Sequence, residues 1–239
     1  KLIFQIAVAS VFVIFIDKAT IFMKMPLLQY GVSIIWIVGI MNSFNLLDNM
    51  DGLSSGIALI SSLIFAFISY QTGNVPLAYL YLILAFVMLG FLPMNFYPSK
   101  VFMGDSGSLF IGYTIATLSI MGGYTELSRL TQLPVIIPVI ILSVPIYDSL
   151  SVIYIRLKKK QPLFVGDQNH FSHRLYRLGL SHKNSVLFIY LVTFSTGVSA
   201  FLLLLVNWIG AIILLLQDLI LFVMLSILIS VKREKKHED

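Results

Sequence analysis

Four polar side chains stand at the end of an apolar run in the stretch Asn42-Ser-Phe-Asn-Leu-Leu-Asp-Asn-Met-Asp-Gly-Leu53. Asn42, Asn45, Asp48 and Asp51 are spaced i, i+3, i+6, i+9, which keeps them on one drifting stripe of a helix. Amides and carboxylates at the rim of a bilayer are costly unless they face a cavity, a partner or a metal. One such residue reads as a snorkelling or capping group. Four at this spacing read as a functional site.

A second motif, Phe102-Met-Gly-Asp-Ser-Gly-Ser-Leu109, follows Pro93-Met-Asn-Phe-Tyr-Pro98. Gly104 and Gly107 flank Asp105 and allow a backbone to approach a ligand closely. Ser106 and Ser108 are candidate caps for a helix beginning near 108, whose N-terminus favours an anion. Asp105 then suits Mg2+ held between protein and phosphate oxygens. The plainer reading is a capped loop with Asp105 as a turn residue. A third site is Asp148 in Pro145-Ile-Tyr-Asp148, inside an apolar run, where a buried Asn, Ser or Lys partner is the structural alternative.

The fourth is Asp167-Gln-Asn-His-Phe-Ser-His-Arg-Leu-Tyr-Arg177, followed by Leu-Gly-Leu180. As a helix closed by Gly179, it puts His170, His173, Arg174 and Arg177 on one face. Two histidines and two arginines make a diphosphate-binding face, because Arg grips phosphate in bidentate fashion. His-x-x-His without cysteine or a third ligand disfavours zinc. The alternative is an interfacial amphipathic helix drawn to anionic lipid.

The elements that must hold these motifs are membrane helices. Of 239 residues, 58% are hydrophobic and 11% charged, against about 25% charged in a soluble domain. The expected fold is therefore an all-α integral membrane protein, one polytopic bundle over 1–239. The apolar runs are too continuous for the alternating strands of an outer-membrane barrel. Eight segments are expected, at roughly 2–16, 31–47, 53–70, 76–94, 108–124, 132–155, 185–206 and 211–231. Segment 17–30 reads as a linker or re-entrant piece, and Gln71-Thr-Gly-Asn74 and Gly122-Gly-Tyr-Thr-Glu126 as polar turns. No internal repeat supports an inverted-repeat transporter.

Eleven of the sixteen Lys and Arg lie in 156–183 and 232–236, the clustering of cytoplasmic segments and not of a nucleic-acid surface. With the basic loop 156–184 in the cytoplasm, counting spans backwards puts 48–52 and 95–107 on the same side. All four motifs then meet at the cytoplasmic face. Lys158–Lys160 and the tail from Lys232 read as topology signals. Asp218, beside Gln217 in mid-span, is expected to turn into the bundle, with no role assigned. The absence of cysteine excludes disulfides and thiol chemistry.

In order and spacing, Asn42-x-x-Asn-x-x-Asp-x-x-Asp-Gly-Leu53, Phe102-Met-Gly-Asp-Ser-Gly-Ser-Leu109 and His170-x-x-His-Arg174 resemble one family along essentially the whole chain. It is the polyprenyl-phosphate N-acetylhexosamine-1-phosphate transferases (glycosyltransferase family 4), integral membrane enzymes of envelope polysaccharide synthesis. The resemblance implies transfer of a HexNAc-1-phosphate from a UDP-sugar to polyprenyl phosphate, with release of UMP and use of Mg2+, or Mn2+ in its place. It implies a bacterial plasma-membrane location with the site facing the cytoplasm. Membrane lipid is a further partner, nucleic acid is not, and a homodimer is left open.

Carried over by residue, the resemblance puts Asn45 and Asp105 at the metal, with Asp48 and Asp51 positioning metal and phosphates. Phe102 would stack on uracil, with Asn42, Asn95 and Gly104 near the substrate. His170, His173 and Arg174 would bind diphosphate or sugar, and Asp148, which matches a Pro-x-x-Asp position, would bind the substrate. A run of three histidines marks the muramyl-pentapeptide branch. His-Phe-Ser-His-Arg here resembles instead the branch using UDP-N-acetylglucosamine or a related sugar. Asn49 stands where Gly commonly follows the first aspartate, and Asn is the residue next most tolerant of positive φ. The family also carries an Asp-Asp pair and about three spans ahead of the Lys-Leu with which this chain starts, so the expectation is a truncated member. Three other readings compete: a phosphatidyl-type transferase, an ion-coupled transporter, and a truncated transferase that is inactive as given.

Overall fold

The computed structural model describes residues 1–16, 26–122, 136–160, 162 and 170–234. Its elements are all helical: α1 Leu2–Ile16, α2 Pro26–Leu47, α3 Leu53–Gln71, α4 Val75–Asn95, α5 Gly104–Ile120, α6 Ile137–Ile141, α7 Ser143–Lys158, α8 Phe171–Arg177, α9 His182–Leu202 and α10 Trp208–Glu234. Of the linker expected over 17–30, residues 17–25 lie outside the described residues, and 26–30 are helical, forming the start of α2; residues 123–126 of the turn expected at 122–126, and Asp167, also lie outside them.

Among the described residues, five helices are long and apolar enough to cross a membrane, at Leu28–Leu47, Leu53–Gln71, Val75–Asn95, His182–Leu202 and Trp208–Leu228. The other three of the eight expected segments are the 15-residue α1, the 17-residue α5 and the α6–α7 pair. The apolar run expected over 132–155 is interrupted at Leu142, which caps α6 and precedes α7.

The helices associate through residues that leave their backbones close. α3 packs along α4, α2 along α5, and α1, α7 and α9 close around α2 and α3. Phe44, Ile57, Phe65, Tyr81 and Ile115 are fully buried at these contacts. Phe65 and Tyr81 stack at 4.8 Å between α3 and α4, an arrangement that adds to the area they bury. The α2–α5 contact depends on Gly112, where an added Cβ would stand 2.8 Å from the Met41 Cα. Small residues at such positions are how membrane helices approach without a hydrophobic driving force. This close pair carries Asn45 at one end of α2 and Asp105 at the matching end of α5.

Candidate active site

α2 ends at Leu47, so Asn42 and Asn45 are helical, whereas Asp48 and Asp51 lie on the turn that follows. The continuous helical stripe expected from the sequence therefore breaks after Asn45. Gly52, with φ +78°, reverses the chain into α3, a conformation that glycine adopts without cost. The Tyr190 hydroxyl of α9 donates to the Gly52 carbonyl, and its ring lies over Gly56, where there is no room for a Cβ.

The acidic end of α5 meets α2 directly. Asn45 Nδ2 donates to Asp105 Oδ1 at 2.9 Å and to Ser108 Oγ at 3.1 Å. The Lys1 ammonium donates to Asn45 Oδ1 at 2.7 Å and to Asp105 Oδ2 at 2.9 Å. One cationic group thus sits between an amide oxygen and a carboxylate oxygen aimed at the same point. Asn45 and then Lys1 hold the Asp105 carboxyl below its ordinary value. Helix α5 starts at Gly104, φ +66°. The expected start near 108 is thus four residues late, and Ser108 bonds back to the Gly104 carbonyl instead of capping.

Asp48 is partly buried beside this pair. Burial pushes its pKa up to about 6; the neighbouring charges of Asp105 and Asp51 add to the rise, and a hydrogen bond from the Gly104 N–H opposes it. Two hard oxygen donors and one more carboxylate nearby suit Mg2+, which takes few protein ligands and completes its shell with water and substrate phosphates. No cluster of three His, Cys, Asp or Glu that could hold a metal occurs among the described residues.

Three other expected site residues have structural bonds. Asn42 pairs its amide with that of Gln5 on α1, at 3.0 and 3.3 Å, and donates to the Val38 carbonyl. Asn95 is buried: its oxygen accepts from Ser55 and its Nδ2 donates to the Val101 carbonyl, pinning the loop 96–103. Asp51 accepts from the Ser99 N–H of that loop at 3.1 Å. At the end of the pinned loop Phe102 is 76% exposed and presents a large aromatic face.

The His/Arg motif differs from the single helical face expected. α8 runs Phe171–Arg177, and His170 precedes it as its N-cap. Gly179, with φ +106°, ends the turn after it as expected. His170 Nδ1 lies 2.8 Å from Asp148 Oδ2, and Asp148 Oδ1 accepts from the Phe171 N–H at 2.5 Å. The buried partner of Asp148 is thus a histidine, not Asn, Ser or Lys. Arg174 donates to Ser151 Oγ on α7, and its Nε has no acceptor among the described residues. Burial lowers the pKa of His173, and His170 and Arg177 add to the effect; burial lowers that of Arg174 as well. Ser172 Oγ donates to Asn49 Oδ1 at 2.5 Å, fastening α8 to the acidic turn.

The four motifs are therefore joined into one end of the bundle, two through Asn45–Asp105 and two through Asn49–Ser172 and Asp148–His170. Lys1, Gln5, Ser55, Ser151 and Tyr190 were not anticipated as their partners. Only Gln5 carried a signal, as a polar residue within an apolar run. Asp218, given no role, accepts from Ser199 at 3.0 Å between α10 and α9.

In sequence, the chain is similar to known proteins. The model of glycosyl transferase family 4 matches residues 1–123. A probable undecaprenyl-phosphate N-acetylglucosaminyl 1-phosphate transferase of Bacillus subtilis is 44% identical over 176 residues, 74% of this chain and 48% of the relative. A decaprenyl-phosphate N-acetylglucosaminephosphotransferase of Mycobacterium tuberculosis is 36% identical over 171 residues, 64% of this chain and 42% of the relative. A phospho-N-acetylmuramoyl-pentapeptide-transferase of Staphylococcus aureus is 44% identical over 88 residues, 37% of this chain and 27% of the relative. The chain spans about half the length, or less, of the curated relatives it matches. Its matched residues contain the Asn45–Asp105 pair and the acidic turn, and the chain belongs to glycosyl transferase family 4.

Proposed function

We propose that the protein carrying this chain transfers N-acetylglucosamine-1-phosphate from UDP-N-acetylglucosamine to polyprenyl phosphate at the cytoplasmic face of a bacterial membrane. The observation that carries the reading is the oxygen pair of Asn45 and Asp105 around the Lys1 ammonium, beside Asp48. A phosphate oxygen of the carrier attacks the sugar-linked phosphorus; that P–O bond forms as the bond to UMP breaks, and UMP leaves. Such a transfer is mainly a matter of alignment and charge neutralisation.

Asn45 and Asp105 would hold Mg2+, with Asp48 close by. When bound, Mg2+ supplies neutralisation of the diphosphate oxygens. The guanidinium of Arg174 suits a phosphate oxygen, and with His173 less readily protonated, the arginine carries more of the charge pairing. The exposed ring of Phe102 is a stacking surface for uracil, held out by the loop that Asn95 and Asp51 pin. The apolar spans offer the carrier's tail a lipid-facing surface, so its phosphate meets the nucleotide at the membrane rim.

The test is UMP release from UDP-N-acetylglucosamine by the full-length protein in detergent, with and without polyprenyl phosphate and Mg2+. Release that requires both supports the reaction. Release from neither this nor any other UDP-HexNAc would overturn it. Phe102→Ala should raise KM for the nucleotide sugar about tenfold, the loss of one base–aromatic stack.

A further inference from the structure

We infer that Asp148 is the positioning residue of His170, locking the imidazole as its Nδ1–H form and leaving Nε2 as the working nitrogen of the site. The inference rests on the reaction proposed above only for what that nitrogen then does. Both side chains are almost wholly buried, 6% exposed for His170 and 1% for Asp148. At 2.8 Å, Nδ1 and Asp148 Oδ2 must share a proton. An ionised carboxylate can only accept, so that proton is carried by Nδ1 whether the ring is neutral or cationic. Nε2 has no hydrogen-bond partner among the described residues, so it alone is left to meet a ligand.

The second oxygen of Asp148 determines where the ring stands. Oδ1 accepts from the Phe171 N–H at 2.5 Å, so a single carboxylate on α7 fixes both the imidazole and the first turn of α8. Arg174, one turn further along α8, returns to α7 through Ser151. The ring, the helix and the guanidinium are then set from α7 as one unit. With both oxygens committed and the group buried, Asp148 is not a ligand for metal or substrate, which revises the binding role that the family resemblance implied for it. A histidine held by a buried carboxylate keeps its tautomer and its orientation; here the Nε2 so presented can donate to, or accept from, a phosphate-bound group.

Asp148→Asn is the discriminating substitution. The amide oxygen can continue to accept from the Phe171 N–H, and the amide nitrogen then faces Nδ1. A donor opposite Nδ1 forces that nitrogen to accept, and the ring proton moves to Nε2. The experiment is a long-range proton–nitrogen NMR correlation on the full-length protein in detergent, labelled with 15N-histidine. His170→Gln identifies the resonance among the four histidines of this chain and any others. The expected result is Nδ1–H for His170 in the unsubstituted protein and Nε2–H in Asp148→Asn. Alongside it, kcat for UMP release falls at least about tenfold in Asp148→Asn, with KM for UDP-N-acetylglucosamine changed by less than about threefold.

An Nε2–H ring in the unsubstituted protein overturns the inference, and that spectrum decides even if Asp148→Asn does not fold. A reversed tautomer with unchanged kcat also overturns it, since the orientation would then serve only the fold. If the protein released no UMP at all, the proposed reaction would fall, whereas the tautomer would still test the pairing.

Discussion

The hydroxyl of Ser172 donates to the amide oxygen of Asn49 at 2.5 Å, across 123 positions of chain. Asn49 Nδ2 donates to the Leu46 carbonyl, so the amide also ties the acidic turn to the end of α2. The positive φ that would have explained Asn in place of Gly is absent at Asn49; Gly52 has it instead. Asn49 is present for its amide. Asn49 is where the chain departs from the family pattern, and Ser172 lies between the two histidines of His170-x-x-His-Arg174.

If this bond holds α8 over the acidic turn, Asn49→Ala and Ser172→Ala will each lower kcat/KM for UMP release by about tenfold, the loss of one partly buried hydrogen bond of ~1.4 kcal/mol. The double variant should be no worse than either single one within a factor of about three, because the same bond is removed once. Multiplying losses would mean that the two residues act separately.

Asp48 makes stability depend on pH. Its folded pKa of about 6 lies above the ordinary 3.8, so the folded state binds the extra proton. The resulting stabilisation is fully present below 3.8 and is lost as pH rises through about 6. In metal-free detergent, the thermal midpoint of the unsubstituted protein should therefore fall relative to Asp48→Asn between pH 4 and 7. Added Mg2+ should recover part of the difference at pH 7, where the ionised carboxyl gains a nearby cation. Parallel profiles for the two proteins would show that Asp48 is not strained by its setting.

If a divalent cation takes the oxygens of Asn45 and Asp105, Lys1 competes with it for both. Mn2+ binding followed by electron paramagnetic resonance should tighten in Lys1→Met, because Asp105 and Asn45 lose their resident ammonium. It should be lost in Asp105→Asn, which removes the charged ligand. Unchanged affinity in both variants would place the metal elsewhere.

Gly112→Ala tests the helix contact beneath the site. The new Cβ would meet backbone, the Met41 Cα at 2.8 Å and the Ile40 carbonyl at 3.0 Å, so α2 and α5 must part. A loss of about 1–3 kcal/mol is expected, read as a lower thermal midpoint. Mn2+ affinity should fall with it, since Asn45 and Asp105 ride on these two helices. A stable variant with unaltered metal binding would show that the spacing of α2 and α5 is not what aligns the pair.

The sequence by itself determined the membrane class, most helix positions and the polar motifs that gather at one end. Each of those follows from a local quantity: the length of an apolar run, the position of a glycine, the order of residues within a motif. It placed the end of α2 at Leu47, but not its start at Pro26, nor that Tyr190 and Phe96 would close over Gly52 in the turn that follows. Nor did it indicate that Asn42 and Asn95 would be bonded within the structure, or that Asp148 would hold a histidine. Those outcomes are pairings over long chain separations. A buried amide or carboxylate must be satisfied by some partner, but which one is decided by the helices that packing brings alongside. Only the tertiary structure could choose Gln5, Ser55, Ser172 and His170 from the many polar groups that a linear reading leaves equally eligible.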